Sequence, residues 1–520
     1  MSDLLKRYAE TPDTAVVIHR KPSSFKAIQT HYSSCWHLLK TSSANGSGMA
    51  YITAAFYVHM TGLFMLERLL ILSNLGDCMT EYKPLQQLPD PAGYKAGDVL
   101  VLAGELFGRG YANGLVDEAR RIGMTVIGTT VGRRGSDGVL RPLNAEELAE
   151  AEALLGGTII NIPLEAGFDM ESVDGLPSIV EQLKKARPDD FASVSFIEGS
   201  VEKACAAGTA RFRSHLAQLE AELVRRIPSD ANILIAHSMA VGIPRARVFM
   251  PLLNRIFKGT GDKYLASETF WNSPLGRLCD TSFNEVTADT FRYLIEGTAT
   301  LRGRCAAAGT RVSYSAYGYH GTGILVNGSY RWQSYTPYVQ GFAKMRLEEI
   351  ASEATAKGIP ATVYNCPEIQ TNSSALFLGV EISLYPLLSA IRLEAGEQVA
   401  APLEARCQGM LKEGESLAAL LERADSYLSS PVLEQIVDFP SWPQHNTREQ
   451  AELMLDSSAK LMEMHADQKQ LVCAELSRIV FLATGRLMLH SSWNAPSAVI
   501  WLNHDIIGRL LADQRGAGIV

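Results

Sequence analysis

VLVLAGELFGRGYANGLVDEARRIGMTVIG, residues 99–128, runs from an apolar stretch of strand length through a turn with glycines at 104, 108 and 110 to a helical stretch and a second apolar run. That order is a strand, crossover helix, strand unit, which requires two parallel strands with the helix on one face of their sheet. With no Cβ in the way, backbone at the glycines can approach a pyrophosphate, and the helix that follows offers unpaired N–H groups and the positive end of its dipole. Gly104, Phe107, Gly108 and Gly110 are the expected cradle of a dinucleotide. A plain tight strand-to-helix turn is the alternative.

The same alternation continues outward from this unit. MTVIGTT, GTIINIPL, NILIAHSMA, TRVSYSAYG and PATVYNC supply five more strand candidates. Helical stretches at 111–122, 200–226, 286–308 and 339–357 lie between them, so six strands are expected in one doubly wound, Rossmann-like parallel sheet of the α/β class. Upstream, the Pro- and Gly-rich KPLQQLPDPAGYKAGD closes an N-terminal accessory region over 1–92. After Ala401 the strand signals give way to 3.6-residue periodicity. The expected domains are thus 1–92, a dinucleotide-binding domain at 93–395, and a helical region at 396–520.

Composition narrows the class. A chain of 520 residues with 47% hydrophobic and 20% charged residues and a net charge of −8 has no basic face for nucleic acid. Its eight cysteines form no CxxC pair, which argues against a zinc site or a disulfide framework and for a reducing, cytoplasmic setting. MSDLLKRYAETPD lacks the apolar core of a secretory signal. The most apolar stretch, 49–72, is interrupted by His59, Glu67 and Arg68 and reads as a buried helix rather than a membrane span.

The second strand ends VIGTTVGRR, where NAD-selective sites often place a carboxylate about 20 residues beyond the glycines. Thr129, Thr130, Arg133 and Arg134 stand there instead. Two guanidiniums could pair with a 2′-phosphate, which favours NADPH over NADH; a solvated basic turn is the other reading.

The Gly-x3-Gly-x-Gly pattern resembles that of the short-chain dehydrogenase/reductase superfamily, and further stretches match one branch of it. LIAHSMAVG, 234–242, resembles the fourth-strand HSIA signature of enoyl-acyl-carrier-protein reductases, which implies that His237 and Ser238 lie against the cofactor. VYNCPEIQTNSSALF, 363–377, resembles the segment after the sixth strand that holds the nicotinamide. That role carries over to Ile369 and Thr371, with Glu368 where a glycine is usual. The resemblance covers about 96–380, and together with the chain length it is closest to the FabMG-like enoyl reductases. It implies reduction of the trans-2 double bond of an enoyl thioester, on acyl carrier protein or coenzyme A, by NADPH or NADH. A homo-oligomer in the cytoplasm is implied as well.

The catalytic pair follows from QSYTPYVQGFAK, 333–344. Ordinary carbonyl reductases of the superfamily carry Tyr four positions before Lys, on one helical face. Here that position is Gln340. The Tyr335 to Lys344 spacing matches the Tyr-x8-Lys of one enoyl reductase type. Nine positions at 100° each put Tyr335 about half a turn from Lys344, so a shared site needs Tyr335 on a non-helical arm. Thr336 as N-cap and Pro337 as first helical residue provide for one. Tyr335 would donate to the enolate and Lys344 would hold the nicotinamide ribose and ease the phenol's ionisation; Tyr338 is the second candidate.

Tyr314 and Tyr317 end the fifth strand and point to opposite faces, so only one can contact the thioester carbonyl; Tyr317, nearer the carboxyl end, is preferred. His237 and His320 read as structural histidines before acids. The long segment 241–285 could wall an acyl channel, with Arg245, Arg247, Arg255, Lys258 and Lys263 meeting a phosphopantetheine phosphate or an acidic carrier. The competing functions are a ketone or alcohol reductase, which Gln340 opposes, and a non-catalytic NADP-binding protein.

Overall fold

The first strand, β1 (Val99–Ala103), is buried at every residue, as are β4 (Ile233–His237), β5 (Val312–Gly318), β6 (Ala361–Asn365) and β7 (Val499–Trp501). Such unbroken burial is what a parallel sheet covered on both faces demands of its strands. With β2 (Thr125–Thr130) and β3 (Thr158–Pro163) they form one seven-stranded sheet of order β7-β6-β5-β4-β1-β2-β3. Every pairing in it is parallel. The computed structural model describes residues 81–91, 93–184, 193–239, 268–333, 339–371, 379–436 and 447–520. The apolar stretch at 49–72 and most of 241–285, including the five basic residues singled out there, lie outside the described residues. Thr80–Val520 is one compact unit.

Alternation along β1 feeds two cores. Leu100 and Leu102 join one with α1 (Tyr111–Arg121), while Val99, Val101 and Ala103 join the other with α3 (Ser200–Arg226). A helix α2 (Ala145–Leu155), started by an Asn144/Glu147 capping box, returns the chain to β3. Between β4 and β5 a long helical run holds α4 (Pro274–Phe283), one stretch of π-helix (Asn284–Asp289) and α5 (Thr290–Gly297). After β5 an antiparallel ribbon, Thr322–Val326 with Ser329–Gln333, precedes α6 (Val339–Ala356).

All six expected strands are present, and a seventh was missed. The C-terminal region, read as helical, also supplies β7, which pairs with β6 through Val363, Tyr364 and Asn365. Lys83 and Leu85 in turn exchange backbone hydrogen bonds with Trp501, covering that edge. The C-terminal helix α7 (Val472–Ser491) crosses α1 at glycines on both sides. A Cβ on Gly114 would stand 1.8 Å from the Phe481 carbonyl oxygen, and one on Gly485 would stand 2.1 Å from the Gly114 carbonyl carbon. Only backbone-to-backbone contact fits there. Beside the crossing, the fully buried Glu118 of α1 accepts from His490 at 2.7 Å and from Arg121 at 2.6 and 2.7 Å.

Candidate active site

At the carboxyl end of β1, Gly104 adopts a φ of +131°, and a Cβ there would meet the Ser238 hydroxyl at 2.3 Å. Both the angle and the space exclude a side chain. The Gly104 amide donates to the Thr129 hydroxyl at 2.9 Å, and the Ser238 amide donates to the Ala103 carbonyl at 2.9 Å. These bonds tie the ends of β1, β2 and β4 into one rim. Beyond it the turn is open: nothing lies within 4 Å of a Cβ on Gly108, and only Asn113 Oδ1, at 3.8 Å, near one on Gly110. Gly110 gives the first turn of α1 no side-chain cap, and Phe107 stands 57% exposed beside it. Open space over a helix start that has no side-chain cap fits a pyrophosphate.

The two arginines beyond β2 are not free. Arg133 donates to both oxygens of Glu105, at 2.7 and 3.0 Å, and the pairing holds its guanidinium above the usual range. Arg134 donates to Glu165 at 2.8 Å and to Glu171 at 3.1 Å. Each cation already has its carboxylate, so the argument that drew NADPH from the pair loses its ground.

At the other end of the crevice, Lys344 of α6 is 1% exposed and donates to the Tyr317 carbonyl at 2.6 Å. Its ammonium lies 4.7 Å over the Tyr319 ring. Burial pulls its pKa down to about 7. The Tyr317 ring stacks on Tyr111 at 5.4 Å, and the Tyr111 hydroxyl donates to the Pro367 carbonyl at 2.6 Å. The buried Tyr317 hydroxyl has no partner among the described residues, and burial pushes its pKa far up. Tyr314 points the other way, its hydroxyl held by Thr298 at 2.6 Å and Arg302 at 2.7 Å.

His237 ends β4 with Nε2 2.7 Å from the Thr290 hydroxyl, which itself donates to the Val286 carbonyl. That hydroxyl can then only accept, so Nε2 carries the proton and Nδ1 is an unpartnered acceptor among the described residues. Burial, reinforced by the Lys344 charge, keeps the imidazole neutral. The π-helical stretch sets Thr290 beneath it. Downstream of β6, Ile369 is buried, Glu368 accepts from Ser383 at 3.1 Å, and the Gln370 amide donates to Ser477 at 2.7 Å. Burial lifts the Glu368 carboxyl well above the usual range, with Glu381 adding to the effect.

These groups sit at the carboxyl ends of the strands, around the reversal of strand order at β1 and β4, where a doubly wound sheet binds its ligand. Residues 81–511 match the family described as enoyl-acyl carrier protein reductase FabMG. The chain belongs to this family. Two solved structures stand close to this reductase. The apo structure of FabMG is 48% identical with a TM-score of 0.79, covering 83% of this chain and 97% of that one. The NADH-bound structure of FabMG is 41% identical with a TM-score of 0.66, covering 83% and 99%. No protein with a curated description matches. The chain is therefore an enoyl-acyl carrier protein reductase, and the ketone-reductase and non-catalytic readings fall away.

The structure of this FabMG reductase brings together Gly104, Thr129, His237 and Ser238 at one rim and Tyr317 with Lys344 at the next, with Ile369 and Thr371 following β6. Arg133 is present but engaged. Tyr335 and Tyr338 lie outside the described residues, as does the side chain of Gln340; the described helix begins at Val339. Several residues of the candidate site escaped sequence reasoning. Tyr111 and Tyr319 frame Tyr317. Glu348, one turn after Lys344, is a buried carboxylate that holds His320 Nδ1 at 3.1 Å and Asn365 at 2.7 Å. An acid at Lys plus four shares the lysine's buried helical face, and that was the available signal, since it needs a partner there. Its pairing with His320 gives that histidine a structural role.

Proposed function

We propose that the enzyme reduces enoyl thioesters on acyl carrier protein with NADH, using Tyr335 as the hydrogen-bond donor to the enolate and Lys344 as the cation beside it. A nicotinamide dinucleotide supplies the hydride delivered to the β-carbon. The chain's own groups bind and orient around that event. The uncapped turn at Gly108 and Gly110 receives the pyrophosphate, and Gly104, Thr129 and Ser238 form the rim beneath it. Lys344, pinned by the Tyr317 carbonyl, points its remaining N–H groups to the crevice, within reach of a ribose hydroxyl and of a phenol arriving from residue 335. Its charge favours the ionised phenol and so the transfer of a proton to the enolate. The aromatic box of Tyr111, Tyr317 and Tyr319 excludes water, and the unpartnered Tyr317 hydroxyl is a second donor for the thioester oxygen.

The observation that carries this reading is the buried Lys344 ammonium at the mouth of the sheet, held by one carbonyl and by no carboxylate among the described residues. NADH is favoured over NADPH because Arg133 and Arg134 are already neutralised and because a 41% identical relative has been seen with NADH. A cytoplasmic homo-oligomer completes the proposal. Absorbance at 340 nm, followed with a crotonyl thioester of acyl carrier protein and with simple ketones, tests it. Oxidation of NADH with the thioester alone is expected. Tyr335→Phe should lose roughly 10²–10⁴ of the rate while still binding cofactor. Full activity in that variant would move the role to Tyr317 or Tyr338.

A further inference from the structure

The carboxylate that an NAD-selective sheet usually carries at the end of its second strand is missing from the chain at that position, yet a carboxylate is there in space. Glu105, the residue after Gly104, folds back from the end of β1 onto the end of β2. Its Oε2 accepts from the Thr130 hydroxyl at 3.1 Å, the Val131 amide at 3.4 Å and Arg133 at 3.0 Å. Among the described residues its Oε1 accepts only from Arg133, at 2.7 Å. The side chain is 8% exposed, against 37% for its arginine partner.

We infer that Glu105 is the residue that selects the cofactor: its Oε1 receives a hydroxyl of the adenosine ribose, and its charge turns away a 2′-phosphate. This rests on the NADH reading above. Three lines of chemistry support it. Thr130 lies 20 residues after Gly110, the separation at which the ribose meets the end of the second strand. A carboxylate oxygen with one donor keeps a lone pair for another, and a ribose hydroxyl is a donor of the right kind. A 2′-phosphate placed there would instead face a nearly buried negative charge, and Arg133 beside it is already bidentate to that carboxylate. The same pairing explains why two arginines beyond β2 do not make a phosphate site. Their sequence position suggests one, but Glu105 has occupied the fork of the nearer.

Titration of the full chain with NADH and with NADPH, read by nicotinamide fluorescence, tests this without turnover. The ratio of the two dissociation constants is the quantity to follow. Glu105→Gln keeps the shape and removes the charge, releasing Arg133 for a phosphate. It should shift the ratio towards NADPH by tenfold or more, chiefly through tighter NADPH. Arg133→Gln leaves the carboxylate uncompensated and should shift the ratio the other way while NADH still binds. A purely structural Glu105 would weaken both cofactors alike, so a ratio within twofold of the parent in both variants overturns the inference. A parent enzyme that prefers NADPH would instead overturn the NADH reading, whatever the variants do.

Discussion

The two ends of the cofactor crevice treat charge in opposite ways. At the adenosine end the two guanidiniums beyond β2 are matched: Arg133 with Glu105, Arg134 with Glu165 and Glu171. At the nicotinamide end, ionisable groups are buried without a countercharge. Lys344 has a carbonyl, His237 has a hydroxyl, the Glu368 carboxyl has a serine, and the Tyr317 hydroxyl has no partner among the described residues. Matched pairs fix a surface. Unmatched groups in low dielectric are displaced towards neutrality and respond strongly to an arriving charge. The first end is built to hold, and the second to change protonation state during a reaction.

The comparison breaks most directly at Lys344. Lys344→Met retains the buried stem and removes the ammonium; if the nicotinamide end works by an uncompensated cation, kcat/KM should fall by roughly 10²–10⁴. A variant within a few fold of the parent would show the charge to be idle. The next largest effect is on pH dependence. Because burial lowers the Lys344 pKa to about 7, the free enzyme holds the ammonium below that pH and loses it above. The free-enzyme quantity kcat/KM should therefore fall about tenfold per pH unit above about 7, a limb that Lys344→Arg should abolish. The unfolded chain keeps this proton up to about 10.5, so the group makes stability rise with pH across the same window. A flat profile from 6 to 9 would mean that the charge is compensated after all.

The smallest effect concerns the support behind the adenosine end. Gly485→Ala places a Cβ against the backbone of α1 and should cost about 1–3 kcal/mol in denaturant unfolding. It should also weaken NADH binding, since α1 carries the pyrophosphate turn. Unchanged stability would show that the helices can separate at little cost.

Much of this could be read along the chain because it is local. Six strands announced themselves by length and apolarity, and the glycine turn by spacing. Strand alternation sent Tyr314 and Tyr317 to opposite faces, as found. What could not be read depends on partners far apart in sequence. Val499–Trp501 is three residues of strand after a helical stretch, too short to carry a periodicity, and it becomes a strand only because β6 offers an open edge. Arg134 meets Glu165 across 31 positions, and no spacing rule links them. The π-helical stretch over 284–289, which sets Thr290 under His237, leaves no mark on an apolar pattern either.

The glycine crossing of α1 and α7 has a consequence for biogenesis. The helix that cradles the pyrophosphate is clasped by residues made about 370 positions later, at Phe481 and Gly485. A nascent chain can lay down β1 to β6 and still lack the brace behind its nucleotide turn until residues 481–485 have been made. Contacts of such long sequence separation form slowly. Nucleotide capture is thereby postponed until that helix is made, and a polypeptide terminated before it would compete poorly for the cell's reduced dinucleotide.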